Sequence, residues 1–446
     1  MFRYPTFESD SIMPDKPNVL WIFSDQHRGH AMSCAGDPNV DTPNLDRLAR
    51  EGVRFTSAYA NSPICSPFRA TLYTGQYIHT HGVYSLHRPL LPRQAVLAEV
   101  LRDAGYHTSH MGKWHLAGGA GPTHYVSPYF RPGWDEWLGW ENSNEPFATE
   151  YHVGAFPKPV RTLEKYQTDA LTDFTVDWLR QVDRERPWFH VISVEPPHPP
   201  NDAPEPYMAM FRDKPLQYRP NMDTEHENFQ SEIVPRLRAY YAQIKNLDDN
   251  VGHILSALEE TGQLENTVIW YFADHGDLMG CHGHMGKCAP EEESTCIPLI
   301  VRGPGAGPAG RVCGATISSV DFMPTLLGML DVPAPEGMEG TDCSSTVAGR
   351  DDEGAPWALL QFERPFFNPE PKASYRALRM GRWKIAVPFL DERIHKLFDL
   401  EADPYEMHNL YDDPGAATDR DRMYRKLVEV TEGLGDDFFE RRRTGR

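Results

Sequence analysis

The sequence predicts an α/β protein with two domains: a large α/β/α domain on a mixed, mostly parallel central sheet, and a smaller C-terminal α+β domain with an antiparallel sheet. Continuous apolar runs at 18–24, 188–194 and 267–273 are typical of strands buried on both faces. Helical patterns separate these runs, as where helices join parallel strands. A hairpin pattern turning at 380–381 indicates the antiparallel sheet. We expect the large domain over residues 1–349 and the smaller one over 350–446.

Composition narrows the class of protein and of partner. The chain has 446 residues, 40% of them hydrophobic and 24% charged, as in a globular protein with a sizeable core. Its formal net charge of -20 argues against nucleic acid or an anionic membrane as a partner. The same charge argues weakly against a heavily sulfated polymer, unless a local basic pocket overrides the overall field.

Neither a secretory signal nor a membrane anchor is evident in the sequence. The first twenty residues lack an apolar core of signal-peptide length, and no run of about 18 apolar residues occurs. The seven cysteines are scattered and odd in number, which is typical of free thiols in a reducing compartment. We therefore expect a cytoplasmic protein, and the sequence leaves its oligomeric state open, a homo-oligomer included.

The first apolar run ends at Asp25 and Gln26. Ligands of open α/β sheets gather beyond the carboxyl ends of strands, so Asp25 is a candidate site residue, although an exposed loop acid is the commoner interpretation of such a residue alone. A helix is predicted next, with Thr42 as its N-cap, Pro43 in its first turn and Gly52 as its C-cap.

The segment 62–75, S-P-I-C-S-P-F-R-A-T-L-Y-T-G, combines a cysteine with a helix start. Pro67 suits the first turn of a helix and Gly75 suits its C-terminal cap. The free N–H groups of that turn would offer an anion site beside Cys65, and Arg69 would add a positive charge with a planar fork. This is a nucleophile-and-anion arrangement. On this segment alone, a buried and inert cysteine is an equally good interpretation.

A strand predicted at 106–111 leads into G-K-W-H, in which Lys113 and His115 can point into one site. From 118 to about 159 periodicity fades, and we expect an irregular insertion rich in Gly, Pro, Trp and acids. Its tryptophans could stack on a sugar ring, enclose a cation or form a small core that pins the insertion down. The sequence does not separate these interpretations.

The run at 188–194 is followed by E-P-P-H-P-P, which places His198 between rigid prolines just past a strand end. A second irregular insertion is predicted from 201 to about 232, and one or two long amphipathic helices over 234–260. The last apolar run ends at Asp274 and His275, so two strands each end in an acid.

The loop after Asp274 and His275 carries Lys287. It also contains four residues that suggest a zinc site, namely Cys281, His282, His284 and Cys288. Because no second cysteine pair accompanies them at the usual spacing, we take zinc as the weaker interpretation.

Brought together at one sheet edge, the acids at 25 and 274 would form an oxygen-rich pocket for a hard divalent cation. Cys65 would supply a nucleophile. Positive charge and proton transfer would come from Lys113, His115, His198 and Lys287. Such a set suits attack on a tetrahedral anionic ester, and the residues do not separate phosphate from sulfate.

In their order, these motifs resemble those of the type I sulfatases, which belong to the alkaline phosphatase superfamily. The resemblance covers nearly the whole chain and rests on Asp25-Gln26, C-S-P-F-R, G-K-W-H, P-P-H-P, A-D-H-G, M-G-K, E-E-S-T-C-I-P-L-I-V, R-W-K-I and F-D-L-E-A-D-P-Y-E-M-H-N-L. C-S-P-F-R is similar to the C-x-P-x-R core by which sulfatases mark a cysteine for oxidation to formylglycine. Phe68 stands where the family usually has Ser or another small residue.

The resemblance implies an alkaline phosphatase-like fold and a formylglycine-dependent sulfuric ester hydrolase that acts on an aryl or carbohydrate sulfate. It implies one divalent cation, calcium as is common in the family, or manganese as in phosphonate monoester hydrolases with Gln and His at two ligand positions. The ligands would be Asp25, Gln26, Asp274, His275 and, as formylglycine, Cys65. A formylglycine-generating enzyme would be a partner.

Further roles follow from the same resemblance. Hydrated formylglycine would attack sulfur while Arg69 and Lys113 stabilise the nucleophile. Lys287 and His198 would hold the sulfate oxygens and assist the departing alcohol. His115 would then take a proton from the second hydroxyl, and the hemiacetal would collapse to release sulfate.

Two alternatives stay open. Gln26 and His275 also suit a hydrolase of phosphonate monoesters or phosphodiesters on the same scaffold. If Phe68 prevented maturation of Cys65, the protein would bind anions without catalysis.

Overall fold

Two β-sheets organise the part of the chain that the computed structural model describes, residues 16–86, 88–118, 125–363, 374–389 and 395–444. The strands are β1 (Asn18–Asp25), β2 (Val53–Tyr59), β3 (His107–Lys113), β4 (Glu136–Trp140), β5 (Glu150–Val153), β6 (Arg161–Thr162), β7 (Trp188–Pro197), β8 (Thr267–Ala273), β9 (Leu299–Arg302), β10 (Arg311–Ser318), β11 (Ala358–Phe362), β12 (Tyr375–Met380), β13 (Trp383–Pro388) and β14 (Lys396–Asp399).

The α-helices lie between and after these strands. They are α1 (Pro43–Glu51), α2 (Cys65–Thr74), α3 (Ile78–His81), α4 (Leu97–Asp103), α5 (Gln167–Gln181), α6 (Glu205–Phe211), α7 (Val234–Glu260), α8 (Glu292–Thr295), α9 (Ser319–Met329), α10 (Ser344–Val347), α11 (Ala417–Gly433) and α12 (Phe438–Thr444).

The large sheet has the strand order β10-β2-β9-β8-β1-β7-β3-β4-β5-β6. Its five central strands, from β8 to β4, pair in parallel, whereas β9, β5 and β6 pair antiparallel with their neighbours. The predicted mixed, mostly parallel sheet is confirmed.

Side chains of β1 alternate between two cores, one on each face of the large sheet. Val19, Trp21 and Phe23 pack on the face covered by α2, α4 and α9. Leu20 and Ile22 pack on the face covered by α1, α5 and α7. Helices therefore cover both faces, which is why the central strands read as continuous apolar runs.

The parallel pairing brings four candidate site segments to one edge. Strands β8, β1, β7 and β3 are consecutive neighbours. Their carboxyl ends lead into Asp274, Asp25, His198 and Lys113 respectively. The edge at which ligands gather in open α/β sheets is thus lined by these predicted residues.

The small sheet has the order β11-β12-β13-β14 and is antiparallel throughout. The predicted hairpin at 380–381 is confirmed, with Gly381 at a φ of 59° in its turn. One face of the sheet packs on α11 through Leu378 and Met423. The other face packs on Ile64 and Cys296, beside the large sheet.

The prediction that 118–159 is irregular is wrong in part. Strands β4 and β5 lie within it, and β4 extends the sheet by pairing with β3. Trp134, Trp137 and Trp140 are buried in the two cores of the large sheet, so they do not present their faces to a ligand. These tryptophans are core residues that hold the insertion against the sheet.

The predictions for the helices and for the second insertion are confirmed in part. The long helix over 234–260 is confirmed as α7, whereas the second insertion contains α6. Thr42 lies at the N-cap position of α1, but its hydroxyl accepts no capping N–H. Gly52 is extended, with a φ of -136°, and is needed because a Cβ there would lie 2.3 Å from the carbonyl oxygen of Val301.

All seven cysteines are thiols outside any disulfide bond, as expected. Among the described residues, none of the helices has the length and apolarity to cross a membrane. Residues 1–15, which form most of the stretch from which we expect no secretion signal, lie outside the described residues.

Candidate functional site

Cys65 is the first residue of α2, and the helix is buried along its whole length. Its predicted C-cap, Gly75, has a φ of 65° and donates its N–H to the carbonyl oxygen of Thr71. Phe68 is fully buried in the apolar core and makes no part of the polar site. Cys65 therefore sits at a rigid helix start directly over the carboxyl edge of the sheet.

The surroundings of the Cys65 thiol are polar. Its Sγ lies 3.1 Å from the Nζ of Lys287, 3.3 Å from the Nε2 of His275 and 3.5 Å from an oxygen of Asp25. Burial, followed by the charge of Asp25, raises the pKa of this thiol to about 12. The inert cysteine of an apolar core would lack these partners, so the structure favours the functional interpretation of the segment.

Asp25, Cys65, Asp274 and His275 each turn one ligand atom into a shared space, and these atoms lie within 4.8 Å of one another. The Nδ1–H of His275 donates to the carbonyl oxygen of Gly276 at 3.0 Å, which leaves a lone pair on Nε2. That lone pair lies 3.5 Å from an oxygen of each aspartate. Two carboxylates and an imidazole lone pair facing one another fit a divalent cation.

Gln26 lies beside this group: its backbone N–H donates to Asp274 at 3.0 Å, and its backbone is in the left-handed region, with a φ of 72°. Its Nε2 donates to Asp277, and this contact fixes the side-chain amide so that its Oε1 accepts from the Nζ of Lys287 at 2.9 Å. Asp277 also accepts the N–H of Gly286 at 3.0 Å, so one carboxylate orients both Gln26 and the loop that carries Lys287. Sequence reasoning missed Asp277, although it follows A-D-H-G directly.

Positive charge faces Asp25 from two sides. The Nζ of Lys113 lies 2.7 Å from its Oδ2, and the Nζ of Lys287 lies 3.8 Å from its Oδ1. Burial alone would raise the pKa of Asp25, but these two ammonium groups outweigh burial and hold the pKa well below its usual range. Asp25 is therefore a carboxylate at neutral pH.

The guanidinium of Arg69 is fully buried, and its fork is occupied by the protein. Nη1 donates to the carbonyl oxygen of Lys113 at 2.8 Å and to Ser193 at 2.9 Å. Nη2 lies 3.3 Å from Asp274 and 3.5 Å from Asp25. The sequence suggested a fork open to an oxyanion, whereas the structure directs it at the carboxylates.

His115 and His198 lie at the margin of the site. Neither makes a hydrogen bond to another candidate site residue in the described part of the chain. The pKa of His115 lies well below its usual range because of burial and then Lys113, and its buried Nδ1 lacks a partner among the described residues. His198 is half-buried and donates its Nδ1–H to Pro199 at 2.6 Å. Burial and then Lys287 lower the pKa of His198.

Sequence reasoning also missed Glu195, a buried carboxylate near the end of β7. It accepts hydrogen bonds from the indole of Trp140 at 2.8 Å and from the N–H groups of Ser143 and Asn144, each at 2.9 Å. Its Oε1 lies 4.0 Å from the Nζ of Lys113. Glu195 thus links the Trp-rich insertion to the ammonium group of Lys113. The sequence does not reveal this role, because the partners of Glu195 come from other elements of the fold.

The zinc interpretation of the loop after β8 is not supported. Cys281, His282, His284 and Cys288 do not gather into one group among the described residues. His282 instead lies 3.4 Å from Glu293 and contacts Asn221 at 3.0 Å.

Comparison with known proteins shows the family to which the chain belongs. The sulfatase family model matches residues 17–332, and the model of the C-terminal part of N-sulphoglucosamine sulphohydrolase matches residues 280–433. An ulvan-active sulfatase of Formosa agariphila is 34% identical over 433 residues, covering 96% of this chain and 83% of that protein.

Two solved structures are similar over almost their full lengths. The YidJ protein of Bacteroides fragilis has a TM-score of 0.88 at 27% identity and covers 97% of this chain and 98% of its own. The phosphonate monoester hydrolase of Agrobacterium radiobacter has a TM-score of 0.77 at 26% identity and covers 95% of this chain and 97% of its own.

The fold is therefore that of the alkaline phosphatase-like hydrolases, with the candidate site at the carboxyl edge of its parallel strands. Within that class, the chain belongs to the sulfatase family.

Proposed function

We propose that this protein hydrolyses a sulfate monoester of a carbohydrate or aryl alcohol, with Cys65 matured to formylglycine by a formylglycine-generating enzyme. One observation supports this most: the side chain at position 65 lies at a helix start within 3.5 Å of an ammonium, an imidazole and a carboxylate. The ulvan-active relative favours a carbohydrate substrate.

The donor set suits one divalent cation held by Asp25, Gln26, Asp274, His275 and residue 65. Such a cation would supply Lewis acidity and neutralise negative charge that develops near sulfur. Carboxylate and amide oxygens favour calcium, and the imidazole nitrogen also suits manganese. We propose calcium, with manganese as the alternative.

The protein's own groups prepare this site for an anion. Lys113 and Arg69 balance the two aspartates, so that a negatively charged ester can approach. Lys287, which contacts residue 65 directly, would hold a sulfate oxygen. His115 is neutral because burial lowers its pKa, and its Nδ1, which has no partner among the described residues, can accept a proton.

His198 would assist the departing alcohol only when protonated. Its Nδ1–H is engaged by Pro199, so a neutral ring presents an Nε2 lone pair, which accepts rather than donates. Lys287 contributes to its low pKa. A bound sulfate ester would offset the charge of Lys287 and thereby favour the imidazolium that can donate a proton.

A matched pair of substrates tests the proposal. The protein, co-expressed with a formylglycine-generating enzyme, is assayed with an aryl sulfate and with the phosphonate ester of the same phenol. We expect the higher kcat/KM on the sulfate and loss of turnover in Cys65→Ala. A higher kcat/KM on the phosphonate would overturn the sulfatase proposal.

The second candidate is a phosphonate monoester hydrolase or phosphodiesterase. Gln26 and His275 favour it, and the phosphonate monoester hydrolase of Agrobacterium radiobacter shares the fold at 26% identity. The same assay separates the two candidates. The third, an anion-binding protein without catalysis, would show only a thiol at position 65 after co-expression.

A further inference from the structure

A cavity of about 790 Å³ lies in the C-terminal part of the chain, apart from the candidate site. We call it the arginine pocket; it is lined by His395, Tyr411, Arg420, Asp421, Tyr424, Arg425 and Arg442. These residues are His395 just before β14, Tyr411 in the loop after that strand, and residues of α11 and α12. Its volume is that of a small-ligand site.

The sign of the charge in the arginine pocket is opposite to that of the chain. Among the described residues that line it are three arginines and one acid, Asp421, whereas the whole chain carries a formal net charge of -20. A cleft lined mainly by one sign of charge focuses the electric field and raises the local concentration of ions of the opposite sign. The pocket is therefore suited to a negatively charged ligand.

The guanidinium of Arg420 is anchored by the protein, whereas Arg425 keeps its two Nη donors available among the described residues. Arg420 donates to Asp421 at 3.0 Å and to the carbonyl oxygen of Tyr411 at 3.2 Å, which holds its guanidinium in place. The Nε of Arg425 donates to the carbonyl oxygen of Asp421 at 3.1 Å. Both Nη atoms of Arg425, an exposed residue, make no ion pair within the described ranges. A planar pair of N–H donors is the group that binds sulfate or carboxylate in a bidentate manner.

Aromatic rings complete the wall. The rings of His395 and Tyr411 meet edge to face with centroids 4.6 Å apart, and Tyr424 lies half-buried beside them. Arg442 donates to the Nε2 of His395 at 3.1 Å, so this nitrogen carries a lone pair and no proton. Tyrosine rings beside guanidinium groups suit a sugar that carries an anionic substituent, because the ring packs on its apolar face.

We propose that the arginine pocket binds an anionic saccharide unit, a sugar bearing sulfate or carboxylate, at a place separate from Cys65. The choice of a saccharide over other anions rests on the proposed function. Helix α11 covers the face of the small sheet turned away from Ile64, so the pocket lies on the opposite side of that sheet from the segment that begins α2. A polymer held there would be retained although the overall charge repels it.

Binding to the Cys65→Ala protein tests the proposal without turnover. Titration calorimetry with sucrose octasulfate is compared between this protein and the same protein carrying Arg420→Ala and Arg425→Ala. Arg422→Ala is the matched control, since this exposed arginine on the same helix pairs with Asp419 and does not line the pocket. We expect the double variant to weaken binding at least tenfold and the control to change it less than twofold.

Three results would overturn the proposal. The first is equal affinity in the double variant, the second is no binding to the parent protein, and the third is inorganic sulfate binding as tightly as the saccharide. Circular dichroism and the melting temperature confirm that the variants are folded. If the double variant is not folded, the single variant Arg425→Gln, at an exposed arginine, replaces it in the calorimetric comparison.

Kinetics with Cys65 intact separate this inference from the proposed function. The double variant should keep its kcat/KM on a small aryl sulfate, while its KM for a sulfated polysaccharide rises. If aryl sulfate is not hydrolysed at all, the proposed function fails. The calorimetric comparison would still show whether the arginine pocket binds an anionic saccharide.

Discussion

The Nζ atom of Lys287 lies 3.1 Å from the Sγ atom of Cys65, although 222 residues separate them in the chain. The contact joins the start of α2 to the loop after β8. It places a positive charge directly beside the side chain that we propose to be the nucleophile, where a sulfate oxygen would also lie.

Replacing Lys287 by Met should lower kcat/KM on an aryl sulfate by about 100-fold, because it removes a fixed charge aimed at developing negative charge. Lys165→Met is the control, since Lys165 is an exposed lysine paired with Asp173. Steady-state kinetics of both variants check this. A loss of less than about threefold in Lys287→Met would contradict the assigned role.

Asp277→Asn should weaken binding of the divalent cation by about 10- to 100-fold, since Asp277 holds the Gln26 amide with its oxygen towards the site. Excess cation should restore part of the activity. The measurement is calorimetric titration of metal-free protein with calcium and with manganese. Asp403→Asn, which alters a carboxylate that accepts a loop N–H from His408, should leave the affinity unchanged. Equal affinities in the two variants would rule out the positioning role.

Gly112→Ala should destabilise the fold strongly. A Cβ at this position would lie 2.0 Å from the carbonyl oxygen of Ser193 on β7, and Gly112 has a φ of 113°. Separating β3 from β7 would also displace Lys113. We expect a loss of about 4 kcal/mol or more in the free energy of unfolding. The matched control is Gly433→Ala at the end of α11, where a Cβ meets nothing within 4 Å. Similar urea midpoints for the two variants would contradict this packing account.

Stability should fall with acid partly because of buried neutral histidines. His81 accepts the N–H of Val83 on Nδ1 at 3.0 Å and donates from Nε2 to Thr71 at 3.1 Å. Burial lowers the pKa of His81 to about 3. Since this folded-state pKa lies below the unfolded value of about 6.5, the unfolded chain takes up the proton first as pH falls.

This linkage is worth about 2 kcal/mol between pH 6.5 and pH 5, at about 1.4 kcal/mol per pH unit. Urea unfolding at about pH 7.5 and about pH 5 should show that His81→Asn loses about 2 kcal/mol less stability than the parent protein. The control His226→Asn, at an exposed histidine, should lose as much as the parent. Parallel losses in all three proteins would show that His81 does not contribute.

The sequence was most informative where strands are buried on both faces. The apolar runs of β1, β7 and β8 are continuous because helices cover both sides, and the polar residues that follow them could be placed at one edge. Strands β4 and β5 were missed because glycines, tryptophans and acids break up their pattern. These strands form because β4 pairs with β3 and β5 pairs with β4, so tertiary contacts rather than local sequence determine them.

The supporting residues of the site escaped prediction for a similar reason. Asp277 and Glu195 look like ordinary acids in the sequence. Their structural role comes from the hydrogen bonds that their carboxylates accept from backbone N–H groups of other segments. The direction of the Arg69 fork depends on Asp274, 205 residues away. A sequence motif predicts which residue type follows a strand. The orientation of that residue's side chain depends on partners from other elements of the fold.

The central claim, that residue 65 acts as formylglycine, is tested by relating activity to conversion. Protein is prepared with increasing amounts of the formylglycine-generating enzyme, and mass spectrometry of the peptide containing Cys65 gives the fraction of aldehyde. Release of sulfate from an aryl sulfate is measured on the same samples. The account predicts activity proportional to the aldehyde fraction, with none in fully thiol protein. Activity that is independent of this fraction would contradict it.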